Sequence, residues 1–191
     1  PLIIQDKKFD VAGQLIFDDR RQRSAYGDVA LVNGTPFPRL RVARRKYRFR
    51  LLNASPSRIY QLVLSQAENT LTGGDSFHVI STDAGLLEKP IKMTAPLNLL
   101  RIGIGERYGI VIDFKDYPKG SKLYLHNPAF PNNVDTNNNM SAIMRFDIED
   151  DATDDSSLPD VLRQPFERLV DKIQPGQTIP IRTFRFARTG N

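Results

Sequence analysis

Few residues in this chain are of a type that could hold a redox metal or attack a substrate. It contains two histidines, His78 and His126, three methionines and no cysteine. A copper or zinc centre needs several imidazole or sulfur ligands converging on one point. Two histidines far apart in the chain, each in its own strand-like run, do not supply that, and a lone histidine is more often a satisfied side chain of a strand edge or loop. The lack of Cys also removes thiolate sites, disulfides and cysteine nucleophiles. Ser76 or Ser81, His78 and Asp83 can be assembled on paper into a nucleophile, base and acid. A triad is defined by convergence in space, however, and adjacency along the chain counts against it. No Gly-x-Ser-x-Gly elbow accompanies these residues. No catalytic residue and no metal ligand is therefore assigned.

Two further stretches resemble ligand sites only in part. Gly103-Ile104-Gly105-Glu106-Arg107-Tyr108-Gly109 has the wrong spacing for a dinucleotide-binding loop. It also leads into the strand-like Ile110–Phe114, where a phosphate site needs a helix N-terminus. It reads as a tight turn. Arg39 to Arg50 holds seven Arg or Lys in twelve residues, enough to attract nucleic acid or another polyanion. Tyr47 and Phe49 alternate with those charges, so the rings are expected to face the core and not to stack on bases. The basic side chains then form a solvated face or meet acidic groups, among them the acidic run Asp147–Asp160. That run lacks the spacing of a calcium loop.

The elements that would position these residues are strands. Eleven β-rich runs alternate apolar and polar residues or are bounded by turn signals: Leu2–Gln5, Gln14–Phe17, Val29–Asn33, Leu40–Val42, Tyr47–Asn53, Tyr60–Ser65, Phe77–Thr82, Leu97–Ile102, Tyr108–Phe114, Lys122–His126 and Ala142–Ile148. Asn33-Gly34, Gly73-Gly74 and Pro118-Lys119-Gly120 punctuate them. The pattern predicts an all-β, antiparallel Greek-key sandwich. Leu158–Lys172 is the one helical candidate, cut into short pieces by Pro159 and Pro165. The acidic, Ser- and Pro-containing run suggests a solvated linker. This gives three expected regions: a domain over 1–150, an irregular linker over 151–180, and the opening strand of a following domain over 181–191. The chain opens on Pro1 and stops just after Ile181–Ala187, as a domain within a longer polypeptide would. No apolar run reaches the roughly 18 residues that span a bilayer. The net charge of +5 is only modestly basic.

Two long stretches resemble the second cupredoxin domain of three-domain multicopper oxidases, of the bacterial spore-coat laccase, bilirubin oxidase and phenoxazinone synthase type. One runs Asp28-Val29-Ala30-Leu31-Val32-Asn33-Gly34, then Pro38, then Tyr47-Arg48-Phe49-Arg50-Leu51-Leu52-Asn53-Ala54-Ser55. The other runs from Gly73-Gly74-Asp75 through Asp83-Ala84-Gly85-Leu86-Leu87 to Gly105-Glu106-Arg107-Tyr108-Gly109-Ile110-Val111-Ile112-Asp113-Phe114. Pro1–Asp6 resembles the entry to that domain, Asn137–Phe146 its last strand, and Arg182–Phe186 the first strand of the third domain. The resemblance implies a cupredoxin-like fold over about residues 1–150. Asn33, Gly34, Asn53, Asp83, Gly85, Glu106, Arg107, Tyr108 and Asp113 are its structural motif residues. Asn33-Gly34 suits a hairpin turn with positive φ, Asn53 and Ser55 suit backbone bonds at a strand end, and Glu106 and Arg107 are expected to pair across their turn. Tyr108 would anchor the strand that follows, and Asp83 with Gly85 would turn the chain before Leu86-Leu87.

The copper-bearing sister domains of that family carry His-x-His pairs and a His-Cys-His segment. The comparable stretch here, Arg58-Ile59-Tyr60-Gln61-Leu62-Val63-Leu64, has no imidazole, and near the later slot stands only His126. The resemblance thus implies a domain that holds no copper itself and joins the flanking cupredoxin domains of one polypeptide, copper being held by the first and third. The parent would be an oxidoreductase coupling one-electron oxidation of phenols, pigments or metal ions to reduction of dioxygen to water. It would act outside the cell, in the periplasm or on a spore coat, and the fragment alone would be inactive. Two other functions fit the residues: a copper-free structural or interaction module, and an anion-binding domain using Arg39–Arg50.

Overall fold

The computed structural model describes residues 1–16, 25–67, 74–94, 99–128 and 140–187. Thirteen strands are defined among the described residues: β1 (Leu2–Phe9), β2 (Leu15–Ile16), β3 (Val29–Val32), β4 (Thr35–Pro36), β5 (Arg39–Ala43), β6 (Lys46–Asn53), β7 (Tyr60–Ser65), β8 (Phe77–Thr82), β9 (Gly85–Met93), β10 (Leu99–Ile102), β11 (Arg107–Asp113), β12 (Lys122–His126) and β13 (Ala142–Asp150). One sheet runs β4-β3-β1-β6-β11-β8-β9, with β2 hydrogen-bonded to β1; the second runs β10-β7-β12-β13-β5. Phe17, Gly73, Leu97, residues 137–139 and residues 188–191, on which parts of the expected strands and motif runs fall, lie outside the described residues.

The two sheets face each other across a core with Ile4, Leu51, Ile110 and Ile112 on one side and Leu62, Leu64, Leu123 and Phe146 on the other. Strand β6 shows how alternation sets this up. Phe49 and Leu51 are buried while Arg48 and Arg50 are exposed. Phe49 lies 5.4 Å, centroid to centroid, from Phe146 of the opposite sheet, and Phe114 lies 5.3 Å from Phe146 and 5.6 Å from Tyr47. These tilted and edge-on ring contacts join the layers. The methionines are fillers of this core: Met140 and Met144 are buried in it, and Met93 is partly buried and packs against the cluster.

The structure departs from the expected architecture in four places. The sandwich is not purely antiparallel, since β1 runs parallel to β6 and β13 parallel to β5. Parallel neighbours need a crossover connection; here the chain between β1 and β6 passes through β5 of the other sheet. Strand β9 was not anticipated, because Gly85–Met93 carries Glu88, Lys89, Pro90 and Lys92 and shows no clean alternation. It is an edge strand, where proline and charge are tolerated. The helical candidate is reduced to a 3-10 turn at Leu169–Lys172. The acidic run is not a free linker throughout. Asp147 and Glu149 lie within β13, and Asp154 accepts hydrogen bonds from the Lys46 amide at 2.8 Å and the Lys46 ammonium at 3.2 Å.

The chain changes sheets at tightly bonded corners. Between β5 and β6 the Arg44 amide donates to the Asp150 carbonyl at 2.9 Å, and the Phe114 amide donates to the Arg45 carbonyl at 3.2 Å. Between β6 and β7, Asn53 Nδ2 donates to the carbonyls of Arg58 (2.8 Å) and Ile102 (3.1 Å), while its Oδ1 accepts from the Ser55 amide at 3.0 Å. Beneath that corner lies a buried ion pair. Arg58, only 2% exposed, donates from Nε to Asp6 Oδ2 at 3.0 Å. The same oxygen accepts from the Gly27 amide at 2.6 Å, and an Arg58 Nη atom donates to the Gly27 carbonyl at 2.8 Å. A Cβ at Gly27 would collide with the Lys7 backbone, so only glycine lets this segment come close enough to β1. The Ser55 and Tyr60 hydroxyls share a hydrogen bond of 2.9 Å, and Ser55 Oγ also accepts from the Asp6 amide at 3.1 Å.

Two stability outcomes are expected in chemical denaturation. Phe49→Ala lowers stability by about 3–5 kcal/mol, as loss of a core aromatic does, and Tyr108→Ala lowers it by less, because Tyr108 is only half-buried. Arg58→Ala lowers it by about 3–5 kcal/mol, because Asp6 is left charged and unpaired in the interior; a change of a few tenths would mean that the pair is solvated.

Candidate functional site

The motif residues do not form one site; they fasten turns. Asn33 and Gly34 both have positive φ, 52° and 84°, in the two-residue turn between β3 and β4. Asn33 Oδ1 accepts from the Ile3 amide at 2.9 Å, and its Nδ2 donates to the Pro1 carbonyl at 3.0 Å, tying the turn to β1. Asp113 stands apart at the far end of β11, where its carboxylate accepts from the Lys115 amide and faces Lys46 Nζ at 3.6 Å.

The other motif residues gather at one end of the sandwich. Gly85, with φ 105°, closes the turn after Asp83 and Ala84. Glu106 and Arg107 do not pair with each other. The Glu106 carboxylate accepts from the Gly103 amide at 2.6 Å and closes the turn from β10 to β11. Arg107 reaches to β8's turn instead, its amide and its Nε meeting Asp83 Oδ1 at 2.9 and 2.8 Å. The reason is local: Glu106 still belongs to the turn and folds back over it, whereas Arg107 is the first residue of β11 and reaches the neighbouring turn at Asp83. Asn53 joins this end through its backbone, donating to the Glu106 carbonyl and accepting from the Gly105 amide. Burial, then the Glu106 and Asp83 carboxylates, push the Tyr108 hydroxyl above its ordinary pKa. Its phenol is thereby kept protonated and suited to a structural hydrogen bond. Arg107 takes up Asp83, and His78 sits opposite Lys92 and Val111 in the strand register. The Ser-His-Asp arrangement is therefore not assembled.

The two histidines lie on different sheets. His126 is buried at the end of β12, beside Val63 and Ala142. It lines a small cleft of about 220 Å³ together with Phe37, Arg39, Tyr124 and Met144. His78 is half-buried on β8, where burial, then Lys92, lower its pKa. Among the described residues, no three of His, Cys, Asp and Glu converge as a metal site would require. The donor set does not fit copper: two histidines in separate sheets, no thiolate anywhere in the sequence, and methionines consumed by the core.

The basic stretch is largely neutralised from within. Arg39 faces Asp147 at 3.8 Å, Arg41 pairs with Glu149, Arg44 meets Asp151 at 3.1 Å and Lys46 meets Asp154 at 3.2 Å. The parallel pairing of β5 with β13 lays one charged series beside the other. Arg145 adds a two-pronged contact to Asp147, at 2.6 and 3.1 Å. What the sequence did not mark is the buried Asp6–Arg58 pair. The available signal was alternation: Asp6 shares its strand face with Leu2 and Ile4, and a carboxylate on a buried face demands a partner.

No family model matches the chain. The bilirubin oxidase of Albifimbria verrucaria is 38% identical over 197 residues, which is all of this chain and 32% of that protein. The cell division protein FtsP of Sodalis glossinidius is 42% identical over 125 residues, covering 65% of this chain and 24% of that protein. In three dimensions, the McoA multicopper oxidase of Aquifex aeolicus superposes with a TM-score of 0.77 at 35% identity, over 91% of this chain and 36% of that one. The chain thus spans about a third or less of the length of the relatives it matches. A two-sheet sandwich, corners fastened by Asn53 and Glu106, and similarity along the whole chain to one part of such proteins lead to one conclusion: the chain belongs to the multicopper oxidase family, of which it forms a cupredoxin domain.

Proposed function

We propose that this chain is the non-copper middle domain of a multicopper oxidase, a scaffold set between two copper-bearing domains of the same polypeptide. The observation that carries the proposal is a family fold whose own donors cannot assemble a copper centre: His78 and His126 stand on separate sheets and no Cys is present. In this reading residues 1–150 are the domain and 151–180 connect it onward. Residues 181–191 open the next sandwich. The end of the described chain supports that division. Ile181 is 92% exposed and Phe186 99%, with Phe184 also exposed. An alternating apolar run in water suits a strand whose sheet lies elsewhere.

The whole protein would then be a laccase-like oxidoreductase. It would oxidise phenols, pigments or metal ions one electron at a time and reduce dioxygen to water, with its copper held by residues outside this chain. A location beyond the cytoplasm goes with that activity. The domain's contribution is rigid: three fastened corners and a packed core fix where its two ends emerge.

A copper-free structural or interaction protein is the second reading, favoured by the similarity to a protein named for cell division. The two separate on the remainder of the polypeptide. Intact His-x-His pairs on both sides and a His-Cys-His segment support the oxidase; their loss supports the structural role. An anion-binding role is opposed by the internal pairing of Arg39, Arg41, Arg44 and Lys46.

Equilibrated with Cu(II) and desalted, the isolated chain is expected to retain well under one copper per molecule and to show no intense visible absorption. Stoichiometric copper or a blue colour would contradict the assignment. In the whole protein, His78→Ala and His126→Ala are expected to leave copper content unchanged by metal analysis.

A further inference from the structure

We propose that residues 151–163 are an ion-locked strap, fastened at one end by Lys46 and Asp154 and at the other by β9, that makes the onward chain leave from the β9 edge and not from the end of β13. The inference concerns this chain's own surface and stands whether or not the middle-domain reading holds.

Both ends of the strap are bonded. At the first, Asp154 accepts from the Lys46 amide and ammonium, and Lys46 Nζ also donates to the Ser156 carbonyl at 3.2 Å. The Asp154 carboxylate is itself held in place by the Ser156 hydroxyl and amide. At the second, the Leu162 amide donates to the Glu88 carbonyl at 2.8 Å. Arg163 Nε donates to the Leu86 carbonyl at 2.7 Å, and its Nη1 faces the Glu88 carboxylate at 3.6 Å. The strap thereby occupies backbone acceptors of an edge strand, the usual weak point of an open sheet. Its guanidinium also lies 3.7 Å over the Phe166 ring, which extends the anchored segment.

Between the anchors the strap crosses the outer face of the first sheet. Leu158, Val161 and Leu162 border a cleft of about 500 Å³ whose floor includes Ile80, Val111 and Leu86. Ile80 and Val111 are buried although they point away from the sandwich core, opposite the face of Val79 and Ile110. The strap supplies their cover, and an apolar patch would be uncovered if it lifted.

The lock stays closed across ordinary conditions. The Ser156 hydroxyl and the Lys46 amide hold the Asp154 carboxyl well below the usual carboxylate range, and Asp154 raises Lys46 above its own. Both groups therefore remain charged from about pH 5 to pH 8.

The consequence is a shorter tether. Measured from Arg163, the exposed Ile179 can lie at most about 55 Å away; measured from Asp150, the limit is about 100 Å. A free tether of the shorter length raises the effective concentration of whatever follows, relative to this domain, by roughly 2.5-fold. More important, it fixes the side of the sandwich from which that segment departs.

Amide hydrogen exchange on the 191-residue chain reads the lock directly. The Leu162 amide is expected to be protected in the parent chain and to lose about tenfold of that protection in Lys46→Met and in Asp154→Asn. Ile110 and Ile112 should keep theirs, and Lys46→Arg should retain most of the protection at Leu162. Because the chain has no Cys, spin labels at K122C and T178C report the tether: their distance distribution should broaden toward longer values in the two lock variants. Unchanged Leu162 protection in both variants, an unchanged distance distribution, or a Lys46→Arg chain as unprotected as Lys46→Met would each overturn the lock. A uniform loss that includes Ile110 and Ile112 would do so as well, since Lys46 and Asp154 would then belong to the global fold.

Discussion

The corner at Arg44-Arg45 is the constraint on which the rest of the structure hangs. There the basic stretch leaves one sheet as β5 and enters the other as β6, and the acidic run arrives alongside it at the end of β13. A chain carrying seven cations in twelve residues repels itself unless anions are placed among them. Parallel pairing of β5 with β13 brings Asp147 within reach of Arg39 and Glu149, at a bulge, within reach of Arg41, and Asp151 and Asp154 continue the series beyond the strand. Single exposed ion pairs of this kind contribute little each. Their weight here is positional. They select a parallel partner for an edge strand, close the gap between the two sheets, and turn the chain after Asp150 onto the outer face of the first sheet.

Much of this was legible in the amino-acid order. Alternation in Tyr47–Asn53 located a half-buried strand and put Phe49 inward, and the Asn33-Gly34 pair marked a turn whose two residues need positive φ. What escaped was non-local. Nothing in Leu2–Phe9 says that it will lie parallel to a strand some forty residues later, because parallel pairing depends on the crossover and not on the strand. Gly85–Met93 escaped because an edge strand is free to carry Pro90 and three charges where a central one is not. Glu106 and Arg107 are adjacent in sequence, but the turn before β11 sends them to different partners, Gly103 and Asp83. Asp6 and Arg58 lie within motif runs that drew attention for other reasons, and only the fold reveals that they meet in the interior.

The candidate site is therefore a set of fastenings. Asn53, Glu106, Arg107 and Asp83 each hold a turn, and the polar atoms that would be expensive inside the sandwich are spent on backbone partners. Aromatic rings from both sheets touch in the core, and hydrogen-bonded corners set the path of the chain between the sheets. A shared architecture says little about where chemistry occurs: within this sandwich the two histidines stand on separate sheets, and among the described residues no three of His, Cys, Asp and Glu converge.

The most direct test of that assignment is anomalous scattering at the copper edge from crystals of the complete polypeptide. The account predicts that every copper peak lies in another domain, with none within about 2.5 Å of a His78, His126 or methionine side chain of this one. A peak at bonding distance from either histidine would show that this domain carries metal after all.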